Sequence, residues 1–158
     1  MIDITYPVSE AGNLREVIDN LCKEAEEASK HHNFLILSDR RVGINRIPVG
    51  ALLAAGAVHH HLIACRARSR CALIVESGEV REVHQICCLL GYGTDAIAPY
   101  MVFEIVQMLR EEKVIDTTLT DEAAYSNYKG AVDRGISKIM AKMGISVLQS
   151  YKGAQVNR

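Results

Sequence analysis

The sequence has no surplus of charge: 18 lysines and arginines stand against 19 aspartates and glutamates, for a net charge of −1. A basic footprint for nucleic acid or an anionic membrane surface is missing, and neither partner is expected. No apolar run approaches the ~20 residues a spanning helix requires, so no transmembrane segment is expected. The opening MIDITYPVSE does not place an apolar stretch behind a basic one, and no secretory leader is expected. The five cysteines, Cys22, Cys65, Cys71, Cys87 and Cys88, include no CxxC pair, and adjacent Cys87 and Cys88 cannot readily bridge to each other. A disulfide framework and a zinc knuckle are both unsupported, and a reducing, intracellular setting follows. Low-complexity segments and residue-level repeats are also lacking.

What is present is ordinary globular composition, 49% hydrophobic and 23% charged over 158 residues, enough for one domain or part of one. From Asn13 to about Lys30, apolar residues at Leu14, Val17, Ile18, Leu21, Cys22, Ala25 and Ala28 form a helical stripe, with Asn13 and Glu16 at capping-box spacing. Phe34–Leu37 is a short continuous apolar run, the pattern of a strand buried on both faces of a parallel sheet. The alternation then repeats. Pro48 suits a first helical turn, and the nearly all-apolar segment to about Arg66 reads as a helix. A strand at Ala72–Val75 precedes a helix from about Glu79 to Leu90, closed by Gly91 as a positive-φ cap. A strand at Ala96–Ala98 follows, then helices at Tyr100 to about Lys113 and about Asp121 to Lys142, and a fourth strand at Ile145–Leu148. Short strands alternating with helices predict an α/β domain on a parallel sheet. Four βα units are half of an eight-stranded barrel, which typically needs ~250 residues. A small open sheet or half a barrel is therefore predicted.

In such folds ligands meet the loops at the carboxyl ends of the strands. Those loops are Ser38-Asp39-Arg40-Arg41, Glu76-Ser77-Gly78-Glu79, Pro99-Tyr100 and Gln149-Ser150-Tyr151-Lys152. Carboxylates, cations and hydroxyls gathered there would suit acid/base work or grip of an anion. The bland alternative is a polar loop rim, with Asp39 paired to Arg40, Arg41 or Arg46. Gly91-Tyr92-Gly93-Thr94-Asp95 follows a helix and opens a strand, the reverse of a phosphate loop, and reads as a helix cap. The triplet His59-His60-His61 points three ways on a helix, since successive residues turn ~100°, and has no i,i+4 pair within it. With Leu52, Ala55, Gly56, Leu62 and Ile63 on the buried face, His59 is expected in the core, His60 at its edge and His61 exposed. A contribution from His84 would still leave any metal short of ligands. Cys87 and Cys88 sit in an apolar helix, where burial keeps a thiol inert.

Three stretches, LILSDRRVGINRIPVGALLAAGAVHHHLI, VESGEVREVHQICCLLGYGTDAIAPY and NYKGAVDRGISKIMAKMGISVLQSYKGAQ, resemble the large subunit of glutamate synthase in this order. The likeness runs from residue 2 to Gln155, with less typical residues at Arg41, Ala64-Cys65-Arg66 and Cys87-Cys88. That family makes two L-glutamates from L-glutamine and 2-oxoglutarate, drawing electrons from a pyridine nucleotide or ferredoxin through FMN and an iron–sulfur cluster. The resemblance implies that residues 1–155 are the later part of its central domain, approaching the FMN-binding domain, with 156–158 a divergent, truncated end. It implies a partial, aldolase-type barrel without its own flavin, linking glutaminase and FMN domains and helping to wall an ammonia channel. No catalytic, cofactor-binding or metal-ligating residue is carried over, because the family's catalytic cysteine lies upstream and its flavin and cluster residues downstream. The implied partners are the remaining domains of the polypeptide and a small reductase subunit or domain, or ferredoxin. The implied compartment is the cytoplasm or a plastid.

Overall fold

A computed structural model describes residues 1–154, so the divergent end expected at 156–158 lies outside the described residues. The elements run β1 (Ile2–Asp3), β2 (Thr5–Pro7), α1 (Leu14–Ala28), β3 (Phe34–Ser38), β4 (Arg46–Pro48), α2 (Ala51–Ala64), β5 (Ala72–Glu76), α3 (Val83–Gly91), β6 (Ala96–Ala98), α4 (Tyr100–Glu111), α5 (Asp121–Lys142) and α6 (Leu148–Tyr151). A parallel sheet of four strands is ordered β1-β3-β5-β6. The expected α/β class with a parallel sheet is therefore present, as an open sheet and not a closed barrel.

Its fourth strand is not the expected one. Ile145–Leu148 forms no strand; Val147 and Leu148 stay 58% and 36% exposed, and the chain turns into the single-turn α6. The fourth position is taken instead by β1, whose Ile2 and Asp3 pair with Leu37 and Ser38. Pro48 also differs: it does not open α2 but sits in β4, antiparallel to β2 opposite Thr5. A proline has no N–H to give, and this two-stranded ribbon is its tolerated place. Gly50 is the residue before the helix. The capping box anticipated at Asn13 does not form, because a 3-10 turn over Val8–Asn13 feeds directly into α1. Such a box occurs at α3, where the Gln85 side chain accepts from the Glu82 backbone N–H at 3.2 Å.

Alternation along the strands divides the sheet into two unlike faces. In one row Leu37 pairs with Val75 and Val75 with Ile97. With Leu35 and Leu73 these residues meet the helices, and Leu37, Leu73 and Val75 are fully buried. Ala25, Ala54, Val58 and Leu62 complete the packing from α1 and α2, while Ile86, Leu89 and Leu90 do so from α3. The opposite face carries Phe34, Ile36, Ile74 and Ala96, with Ile36, Ile74 and Ala96 in one register row. Phe34 is 66% exposed, Ala96 is exposed and Ile36 and Ile74 are half-buried. The strands expected to be buried on both faces are thus covered on one only.

Candidate functional site

Three of the four strand-end loops do converge. Asp39, just beyond β3, is 3% exposed, and among the described residues no arginine forms an ion pair with it. Its Oδ2 accepts from the Ser77 hydroxyl at 2.6 Å, its Oδ1 accepts from the Tyr100 hydroxyl at 2.8 Å, and the Gly78 N–H points at both oxygens, 3.1 and 3.0 Å away. The expected pairing of Asp39 with Arg40, Arg41 or Arg46 is corrected accordingly. Arg41 and Arg46 turn to Asp3, at 3.5 and 3.0 Å, and Arg40 donates to Glu76 at 2.7 Å. Arg40 also lies 4.1 Å from the centre of the Tyr100 ring, a cation–π distance. Glu76 accepts a further bond from Ser38 at 2.6 Å. Burial works against the Glu76 carboxylate, but the Ser38 and Arg40 hydrogen bonds outweigh it and hold its pKa below the ordinary value. Burial, reinforced by the hydrogen bond to Asp39, pushes the Tyr100 phenol up to about 12.

Asp39, Ser77 and Tyr100 spend their hydrogen bonds on one another, and Glu76 on Ser38 and Arg40. Ser77 donates to Asp39, accepts from the Glu79 N–H at 3.1 Å and is fully buried, so its oxygen offers no approach to an electrophile. Glu79 reaches away and accepts the Ala51 N–H at 2.9 Å, satisfying one of the open donors at the start of α2. The arrangement ties β3, β5, α2 and α4 together at one end of the sheet.

The fourth loop does not join them. Lys152 lies at the opposite end and pairs with Asp95, which sits just before β6. Asp95 Oδ2 accepts from Arg68 at 2.6 Å and from the Leu73 N–H at 2.8 Å, while Arg68 also donates to the carbonyls of Cys71 and Gly93, both at 2.7 Å. The remaining Arg68 donor, Nε, points at His59 Nδ1 at 3.0 Å. Arginine does not give up its proton, so Nδ1 must be the bare nitrogen and His59 carries its proton on Nε2. Burial first, and the Arg68 charge second, lower the His59 pKa.

The helix face predicted for the triplet therefore needs correction. Leu52 and Ile63 are 38% and 50% exposed, while Ala55, Gly56 and Leu62 are buried as expected, together with Ala51, Ala54 and Val58. His59 is half-buried, not in the core, and held by Arg68; His60 is exposed; His61 is half-buried, with its Nε2 2.8 Å from Glu26 of α1. The cap glycine shifts as well: Gly93, with φ of +100°, takes the left-handed turn after α3 expected at Gly91. An i,i+4 pair is present in the sequence, His61 with Cys65, whose second member lies beyond the triplet.

Burial also opposes the Asp95 carboxylate, but Lys152, the Leu73 N–H and Arg68 prevail and hold its pKa below 3.8. A carboxyl with a lowered folded pKa contributes stability that is complete above its unfolded value and is lost as pH falls through the folded one. Asp95→Asn is accordingly expected to lower the urea midpoint at neutral pH. The gap from the parent chain should narrow as pH drops below about 3.8, the ordinary aspartate value. A constant gap down to low pH would remove Asp95 as the ionised hub of this end.

Comparison with known proteins agrees with the resemblance. The sequence model of the glutamate synthase central domain matches residues 1–157. Glutamate synthase [NADH] of Schizosaccharomyces pombe is 46% identical over 157 residues, covering 98% of this chain and 7% of that protein. The glutamate synthase [NADPH] large chain of Bacillus subtilis is 41% identical over 145 residues, covering 91% and 9%. The chloroplastic ferredoxin-dependent glutamate synthase of Spinacia oleracea is 39% identical over 158 residues, covering 92% and 10%. The chain thus spans a tenth or less of the length of these three relatives. A domain match over nearly every residue, with identity well above 30% along the same span, settles the kinship: this chain belongs to the glutamate synthase central domain family.

Proposed function

We propose that this chain acts as a structural segment of a glutamate synthase large polypeptide, joining its glutaminase and FMN-binding parts and helping to wall the passage for ammonia between them. The complete enzyme would hydrolyse the amide of L-glutamine, pass the ammonia onward and combine it with 2-oxoglutarate, and reduction would then yield the second L-glutamate. The observation that carries this reading is the uncovered sheet face. Parallel sheets occur almost only with both faces covered, yet Phe34, Ile36, Ile74 and Ala96 are left at least partly open to water. A covering layer from the rest of the polypeptide supplies what the strands need. Strand order supports the partial-barrel form of the reading: β1, β3, β5 and β6 follow one another in chain order without the reversal of a doubly wound sheet. They make consecutive staves of an incomplete aldolase-type barrel.

In the complete enzyme FMN supplies the reducing equivalents, delivered through an iron–sulfur cluster. The described residues do not fit either group. A flavin phosphate needs free N–H groups where a strand leads into a helix, and here the Gly78 N–H is given to Asp39 and the Glu79 N–H to Ser77. A cluster needs converging thiolates. All five cysteines are free, and among the described residues no three of them come together. No flavin or cluster chemistry is ascribed to these residues. Relatives are named for NADH, NADPH and ferredoxin alike, so the electron donor and a reductase subunit, reductase domain or ferredoxin partner belong to the complete enzyme. The cytoplasm or a plastid is the proposed compartment; among the described residues, no helix is long and apolar enough to cross a membrane.

Labelling tests the reading. A cysteine placed at Ile74 should react readily with a water-soluble maleimide in the 158-residue chain and be at least tenfold slower in a complete glutamate synthase carrying the same substitution. Equal rates in the two settings would sink the structural assignment. Genomic sequence flanking this reading frame should encode glutaminase-type and FMN-domain sequence; unrelated flanks would favour a separate interaction module.

A further inference from the structure

We infer that Glu26, His61 and Cys65 form a binding site for one divalent transition-metal ion of zinc-like chemistry, clamping α1 to α2. His61 and Cys65 stand one turn apart on α2, where side chains four residues apart are neighbours. Glu26 comes from α1, next to Ala25, which is fully buried in the core that the two helices share. One carboxylate oxygen, one imidazole nitrogen and one sulfur lie within 4.8 Å of one another, with Glu26 Oε2 2.8 Å from His61 Nε2. Zinc bonds of about 2.0–2.3 Å to such atoms put tetrahedral ligands roughly 3.3–3.7 Å apart. The closest pair needs only to open slightly and the widest to close by about 1 Å, within reach of side-chain rotation.

The donor set determines which metal fits. Nitrogen, sulfur and oxygen together suit zinc and its neighbours, whereas calcium and magnesium take oxygen ligands. Three protein donors leave a fourth tetrahedral position, and with the Glu26 and His61 side chains 39% and 33% exposed, water reaches it. The Cys65 thiol points to the Leu62 carbonyl, 3.6 Å away. On binding, its proton leaves to solvent, the S–H bond is replaced by a sulfur–metal bond, and nothing is oxidised or reduced. A simple His61–Glu26 hydrogen bond would account for two of the three groups and leave the thiol only its long contact with the Leu62 carbonyl. The chain also holds its own control: His84 and Cys88 on α3 have the same spacing and a sulfur–nitrogen distance of 3.7 Å, but no third donor among the described residues.

The full chain, reduced and freed of metal, is titrated with Co²⁺ alone. The expected result is one equivalent bound, with a thiolate-to-cobalt charge-transfer absorption that Zn²⁺ displaces. Cys65→Ser should abolish that band. His61→Ala and Glu26→Gln should each weaken binding by more than the roughly 10–100-fold typical of losing an outer-shell partner. Cys88→Ser and His84→Ala should leave both the band and the affinity unchanged. Absence of any thiolate band from the parent chain overturns the site, as does a band that survives Cys65→Ser or disappears with Cys88→Ser.

Discussion

Gly93→Ala is expected to destabilise the chain by about 4 kcal/mol or more, among the largest effects a single methyl can have. Two causes act together. The backbone at Gly93 has φ of +100°, a region that costs an L-residue roughly 1–3 kcal/mol. The added Cβ would also stand 2.2 Å from His59 Nδ1 and 2.3 Å from Cε1, so the ring must leave. When it leaves, the Arg68–His59 hydrogen bond goes with it. Urea unfolding measures the loss, and a double substitution separates the causes. In a His59→Ala background the steric part vanishes while the backbone part stays, so Gly93→Ala should cost markedly less there. Equal costs in both backgrounds would mean that the close approach of ring and glycine is not the source.

Asp39→Ala is the second large effect. It strips the acceptor from the Ser77 hydroxyl, the Gly78 N–H and the Tyr100 hydroxyl together. A buried donor left without a partner costs about 1–3 kcal/mol, which for three donors puts the loss at roughly 3–9 kcal/mol. Tyr100→Phe removes a donor rather than an acceptor and leaves Asp39 two partners, so about 1–2 kcal/mol is expected. Spectroscopic titration supplies a second readout, followed together with far-UV circular dichroism so that only the folded protein is compared. The tyrosinate transition near 12 assigned to Tyr100 should disappear in Tyr100→Phe and shift downward in Asp39→Ala. The shift should be partial, because burial is the larger cause and remains. An unchanged transition in Asp39→Ala would remove Asp39 as the partner of that phenol.

Sequence reading succeeded where the signal was local. The stripe from Leu14 to Ala28 and the apolar runs of β3, β5 and β6 carry their own periodicity, and each appears within a residue or two of its expected bounds. It failed where the partner was distant. β1 is two residues long, too short for any pattern, and exists because Leu37 and Ser38 offer it an edge. Ile145–Leu148 has a strand's composition but makes no pairing within the fold. In α2, apolar residues surround the helix, so periodicity could not orient it; the partners of His59 and His61 depended on Arg68 and Glu26. The strand-end rule found the loops of Asp39, Ser77 and Tyr100 yet missed their bonds. Neighbouring arginines were the obvious candidates for Asp39, whereas its actual donors lie 38, 39 and 61 residues away.

The chain-ordered sheet also bears on synthesis. Each parallel pairing joins a strand to one already made: Phe34 waits for Ala72, and Ile74 waits for Ala96. Loops of this length close at modest entropic cost, and domains emerge from the ribosome N-terminal end first. The sheet can therefore grow by one stave as each βα unit appears, with no strand inserted between two already placed. At every stage the newest strand is the growing edge, and β6 holds that position when residue 98 has been added.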